Sequence, residues 1–229
     1  MANGNGFREG TVKIFCSYST INKEIAGRLK QELEGFGFSV FLAHEDIAPC
    51  EKWEQVIAEK LSESDALMAL LTKEYKESDW ADQEVGMAVT QDKKIIPIQI
   101  DLIPYGFIKK YQAFKMTPER IPYNIPEIAS QIFEAIKRDE KFRGQLLNSL
   151  IKAFDKSWSF EDASEKAERL LTFNDFTDDQ VGEVAFIAVE KRCVRDSFRG
   201  KPFVIAFLKK YRKQIPPQYL ENLKRIYGI

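Results

Sequence analysis

Histidine and cysteine are scarce in this chain: one histidine, His44, and three cysteines stand among 229 residues. With a single imidazole, any Ser-His-Asp or Cys-His nucleophile system must use His44. Cys16, Cys50 and Cys193 are odd in number and far apart, and none forms a C-x-x-C. This excludes a disulfide framework and a structural zinc site, and it places the protein in a reducing compartment, the cytoplasm. No cluster has the ligand spacing of a metal site, so no metal or resident cofactor is expected. No apolar run approaches the roughly 18–20 residues of a membrane span, so no membrane role is expected. The first ten residues, MANGNGFREG, lack an apolar h-region and read as a flexible tail, not a signal peptide. Their G-N-G precedes the first strand, whereas a dinucleotide fingerprint must follow one.

What is present is the balance of an ordinary folded protein, 44% hydrophobic and 30% charged, with length for one large domain or two small ones. The net charge of −1 is unevenly placed. Residues 1–138 carry 17 basic and 21 acidic side chains, and residues 139–229 carry 17 and 14. Within 191–213 nine basic residues face one acidic residue, Asp196. A basic helix face is ordinarily just solvated, so nucleic acid is not the expected partner.

Along the chain, short apolar, β-branched runs at 12–18 (VKIFCSY), 38–42 (FSVFL), 66–71 (ALMALL) and 95–100 (IIPIQI) predict strands, with a fifth at 111–115. The unbroken run at 66–71 predicts a strand covered on both faces. Pro97 predicts a strand near an edge, or a bulge. Between the strands, helical spacing predicts helices over 22–36, 53–61, 78–90 and 125–136. Alternation of this kind implies parallel βαβ units: a flavodoxin-like α/β fold, five strands in the order 2-1-3-4-5 with helices on both faces. From about residue 139 the alternation stops. Segments 142–154, 162–171, 178–194, 202–211 and 217–227 predict a small all-α bundle over 139–229 whose role is unreadable.

The helix at 78–90, SDWADQEVGMAVT, holds the residue that packing does not explain. Ala81, Val85, Ala88 and Val89 share its apolar face, and Glu84 lies about 40° from both Ala88 and Trp80. The expected placement is a carboxylate at the rim of a buried face, beside an aromatic ring; a solvated helix-edge glutamate is the alternative. Topology favours the first reading. In the order 2-1-3-4-5 a crevice opens at the carboxyl ends of strands one and three. It would be lined by Ser17, Tyr18 and Ser19, by His44, Glu45 and Asp46, and by Trp80 and Glu84.

Five segments, KIFCSYS (13–19), GFSVFL (37–42), HEDIAPCEKW (44–53), SDWADQE (78–84) and KKIIPIQI (93–100), resemble in order and spacing the signature segments of a Toll/interleukin-1 receptor (TIR) domain of the bacterial kind. The resemblance covers 11–138. It implies the same flavodoxin-like fold and two kinds of function. Some members are adaptors that assemble through their surfaces, especially the loop after the second strand. Others cleave NAD⁺ between nicotinamide and ribose with a glutamate at the place of Glu84, and Trp80 with Glu84 matches their W-x-x-x-E. Cys50 departs from the glycine or serine common in that loop.

The chemistry of NAD⁺ cleavage suits one carboxylate. Nicotinamide leaves neutral from a pyridinium, so no general acid is required, unlike an ordinary glycosidase. An anion near the oxocarbenium-like ribose is what remains to be supplied. The resemblance thus implies Glu84 as the catalytic carboxylate and Trp80 as an apolar wall. Ser17, Tyr18, Ser19, His44 and Glu45 are the candidate substrate contacts, with NAD⁺ as substrate and self-association through the TIR domain. In bacterial members this implies a defence role. A non-enzymatic TIR scaffold and a nucleoside-processing enzyme with a glutamate nucleophile are the competing readings.

Overall fold

The computed structural model describes residues 7–43, 53–117 and 121–229. Within them the strands β1 (Lys13–Ser17), β2 (Ser39–Leu42), β3 (Ala66–Leu71), β4 (Lys94–Gln99) and β5 (Phe114–Lys115) form one parallel sheet ordered β2-β1-β3-β4-β5. The helices of this unit are α1 (Lys23–Gly35), α2 (Trp53–Glu63), α3 (Lys73–Lys76), α4 (Asp79–Thr90) and α5 (Ile121–Lys137). The sheet order agrees with the expected one, and all six residues of β3 are buried.

Alternation along the strands sorts the core into two layers. Phe15, Phe41, Leu67, Ala69 and Ile95 join Ile57 and Leu61 of α2 and Ala81, Val85 and Ala88 of α4 in one buried cluster. On the other face, α1 packs on β2 and α5. There Phe133 of α5 meets Phe36 and Phe38 edge-on, with ring centroids at 5.7 and 6.4 Å.

Two expectations change in detail. The fifth strand is two residues long, because Tyr111 turns to pack against the buried cluster and does not extend the ladder. The helix expected from 125 begins at Ile121, with Pro126 carried inside it. Pro97 sits in β4 where its missing donor is harmless. Gln99 gives its carbonyl to Met116 N on the β5 side, so Pro97, two residues earlier, points to that side too. The β4–β5 ladder pairs only Ile98 and Gln99.

The chain divides into two compact units, one running through Arg143 and one from Gly144 to Ile229. Helix α6 (Glu140–Asp155) crosses that division, and α7 (Phe160–Leu171), α8 (Asp178–Glu190), α9 (Arg192–Arg195), α10 (Lys201–Lys210) and α11 (Pro217–Tyr227) follow. The helix expected over 178–194 is broken at Lys191, which is extended (φ −87°, ψ 115°) and pairs with Asp155 at 3.0 Å. Within an unbroken helix Ala188 O would accept from residue 192; here the Tyr227 hydroxyl donates to it at 2.9 Å.

Glycine is required at the end of α1. Gly37 has φ +93°, and Gly37 N and Phe38 N bond back to Glu34 O and Leu33 O, the two bonds of a Schellman cap. Gly37→Ala is expected to cost about 1–2 kcal/mol. Gly35→Ala, inside the helix with nothing within 4 Å of an added Cβ, is expected to gain up to about 1 kcal/mol. Urea denaturation of the two variants side by side checks the contrast.

Candidate active site

Ser17 ends β1, and its side chain points to the face covered by α4, as its odd-numbered neighbour Phe15 does. Thr72, just past β3, caps α3 by accepting from Tyr75 N at 3.1 Å and donates its own proton to Asn22 Oδ1 at 3.0 Å. That ties the turn after β1 to the turn after β3 and fixes Tyr75 over the switch point between the two strands. Glu84 enters from the second turn of α4.

These three side chains meet. Ser17 Oγ makes a short hydrogen bond to Glu84 Oε2, and the Tyr75 hydroxyl lies 3.0 Å from Ser17 Oγ. With Glu84 ionised, the order of donation is fixed: Tyr75 O–H to Ser17, and Ser17 O–H to the carboxylate. Glu84 Oε1 is buried and has no hydrogen-bond partner among the described residues. Burial pushes the carboxyl up from 4.5 to about 7, opposed by the Ser17 bond, which favours the charged form. Burial likewise holds the Tyr75 phenol well above its ordinary 10, so it stays a neutral donor.

Glu84 is therefore not at the rim of the buried face, where the helix pattern put it. It is 2% exposed. Ser17, fully buried, and Tyr75, 1% exposed, provide the polar surroundings that let a carboxyl lie that deep. Trp80, one turn earlier on the same side of α4, is half-buried. Tyr18 faces opposite Ser17 and is 2% exposed, so its ring presents no open face to a ligand here. Ser19 is half-buried, and its carbonyl accepts from Asn22 N at 2.8 Å. His44 and Glu45 lie outside the described residues, as do Asp46 and Cys50.

Tyr75 was missed by the sequence reading. Its signal was present: a tyrosine three residues after a cap-forming threonine, at the end of an all-apolar strand. Also unforeseen is a cavity of about 430 Å³ lined by Asp82, Val85 and residues 105–108. There Tyr105 donates to Asp82 at 2.9 Å, and Phe107 is 68% exposed. Glu84 does not line this cavity, although its helix neighbour Val85 does.

The family model of the TIR domain matches residues 14–124. Residues 14–124 form a TIR domain. Among solved structures, the chain is similar to the TIR domain of the Toll-related receptor TRR-2 of Hydra magnipapillata, at 15% identity and a TM-score of 0.46. That similarity covers 55% of this chain and 98% of the other. No curated protein matches the chain. The TIR domain thus carries Ser17, Tyr75, Trp80 and Glu84, and the helices beyond Asp139 lie outside the matched segment.

Burying Glu84 sets a pH signature for stability. Its folded pKa is above its unfolded value, so the native state holds the proton longer, and stability falls as pH rises from about 4.5 to about 7. Below that window both states are protonated and the cost is absent; above it the cost is fully present. Glu84→Gln keeps the shape and removes the charge. It is expected to unfold like the wild type at pH 4 and to be more stable by up to about 3 kcal/mol at pH 8, as read by urea denaturation.

Proposed function

We propose that the TIR domain is an NAD⁺-cleaving enzyme, an NAD⁺ nucleosidase or ADP-ribosyl cyclase, with Glu84 as its catalytic carboxylate. The observation that carries this reading is the carboxyl itself. It lies buried at the β1–β3 switch point, with one oxygen held by Ser17, the other without a partner among the described residues, and its pKa pushed up to about 7. A carboxyl perturbed by burial at a topological switch point is a candidate for the reacting group, because that crevice is where such sheets bind ligands.

In this reading the C1′–N1 bond of the nicotinamide ribose breaks with its electron pair going to the ring nitrogen, and neutral nicotinamide leaves. The positive charge left on the ribose is stabilised by ionised Glu84 in a site poor in water, where one anion acts strongly. Water then adds to C1′ and loses its proton, giving ADP-ribose. Attack by a group of the same molecule gives a cyclic isomer lighter by one water. Ser17, held by Tyr75, keeps Glu84 Oε2 fixed and leaves Oε1 for the substrate. Trp80 forms the apolar wall. Ser19, His44 and Glu45 are substrate contacts in the same proposal, as is Tyr18 once its ring is uncovered.

Because Glu84 is closed off, substrate entry requires the site to open, and self-association of the TIR domain is the step proposed to open it. The setting proposed is cytoplasmic, in bacterial anti-phage defence, where NAD⁺ loss or a nucleotide product carries the signal. No described helix is long and apolar enough to cross a membrane.

Glu84→Gln is expected to lower nicotinamide release from NAD⁺ by about a hundredfold to a thousandfold in concentrated protein, while folding is retained. Full turnover in that variant would remove Glu84 from the reaction. Turnover absent from both proteins, even when assembled, would favour the scaffold. The wild-type rate is expected to rise with pH through about 7, as Glu84 ionises, and then level off. Ser17→Ala removes the bond that favours the charged form, so the midpoint of that profile moves up.

A further inference from the structure

Three of the most exposed aromatic side chains belong to the second unit. Phe198 is 92% exposed, Trp158 82% and Phe160 48%. They are neighbours. Ser197 Oγ donates to Phe160 O at 3.1 Å, placing Phe198 beside the first turn of α7, and Trp158 N bonds Asp162 Oδ2 in that same turn at 3.2 Å.

The platform beneath them is rigid. Ser197 is 1% exposed and Ser164 6%. Their hydroxyls are 2.8 Å apart, and Ser197 also accepts from Gly200 N at 3.0 Å. A Cβ on Gly200 would come within 2.9 Å of Ser197 Oγ and 3.1 Å of Ser164 Cα, so the turn is packed against the helix as closely as its backbone allows. Aromatic rings displayed on a fixed support lose little freedom when covered, the usual setting of interface anchors.

The trio exposes on the order of 400 Å² of aromatic surface, the size of patch that marks an interaction site and about half of one partner's share of a standard interface. The charges around it decide the kind of partner. Glu161 faces Arg199 at 3.4 Å, Asp162 holds Lys166 at 2.6 Å, and Asp196 holds Arg195 at 3.1 Å. Arg192 also reaches Asp196, at 3.7 Å, so the patch carries both signs with each of these acids paired to a cation, whereas a nucleic-acid or anionic-lipid surface is built on cations left for the phosphates. Glu161 and Arg199 are both about three-quarters exposed and so can exchange partners.

We propose that this patch is a self-complementary interface that joins two copies of the chain about a two-fold axis. Trp158 and Phe198 form its core, and Arg199 of each copy reaches Glu161 of the other. A two-fold contact needs one surface carrying both halves of each pair, which this patch supplies. The proposal stands independently of the enzymatic reading.

Sedimentation of the full chain from about 1 to about 100 μM tests it. The wild type is expected to form dimers, and Phe198→Ser or Trp158→Ser to raise the dissociation constant at least about tenfold with circular dichroism unchanged. Arg199→Glu is expected to weaken the dimer, and Arg199→Glu with Glu161→Arg to restore it. A wild type that stays monomeric at the highest concentration overturns the proposal. So does a dimer unaffected by both serine variants, since association then uses another surface. Binding of phosphatidylserine vesicles or a single-stranded oligonucleotide that is lost in Phe198→Ser, without a dimer, assigns the patch to that ligand instead.

Discussion

The hydrogen bond from Ser17 to Glu84 is the contact on which the site depends, because a carboxyl cannot lie 2% exposed without a donor to meet it. The sheet order follows through to that contact. Placing β1 beside β3 brings the end of one strand to the loop after the other, and the Thr72–Asn22 bond holds the two turns at that distance. Helix α4 then has to seat Ala81, Val85 and Ala88 in the core, and the same rotation carries Glu84 inward. The carboxyl remains costly even so, since Oε1 has no partner among the described residues. Strain of this sort is retained in proteins mainly where a site uses it, and stability is the usual casualty.

Much of this was legible in the sequence, for reasons specific to each element. The run ALMALL, short and unbroken between helical segments, reads as a doubly covered strand, and strand–helix alternation left few parallel topologies, of which the observed order was the leading one. Helix periodicity singled out Glu84 as the residue packing did not explain. It could not give the depth, because depth depends on Tyr75, which belongs to a four-residue helix too short for any periodic signal. Likewise the cavity beside Asp82 is walled by residues 105–108, an irregular turn with no repeat to read. The fifth strand is shorter than its pattern predicts because Tyr111 is as much at home in a core as in a ladder.

The helical unit was legible as helices but not as a surface. Thr177 caps α8, and Gln180 completes the capping box with it. The break at Lys191 was hidden, since its compensation comes from Tyr227, far along the chain. Phe173 and Phe207 lie in the core, whereas Trp158 and Phe198 are exposed. Composition counts an aromatic the same way inside and out, so only the turn that presents Phe198 tells them apart.

Pro97 has a consequence for assembly. On the side of β4 that faces β5, its ring stands where an amide hydrogen would be, and only two residues of β5 follow it. A row of alternating donors and acceptors is what lets one sheet continue into another, and this margin lacks it. This border is therefore a poor template for continuing the sheet from one copy into another, which leaves side chains as the means of contact here.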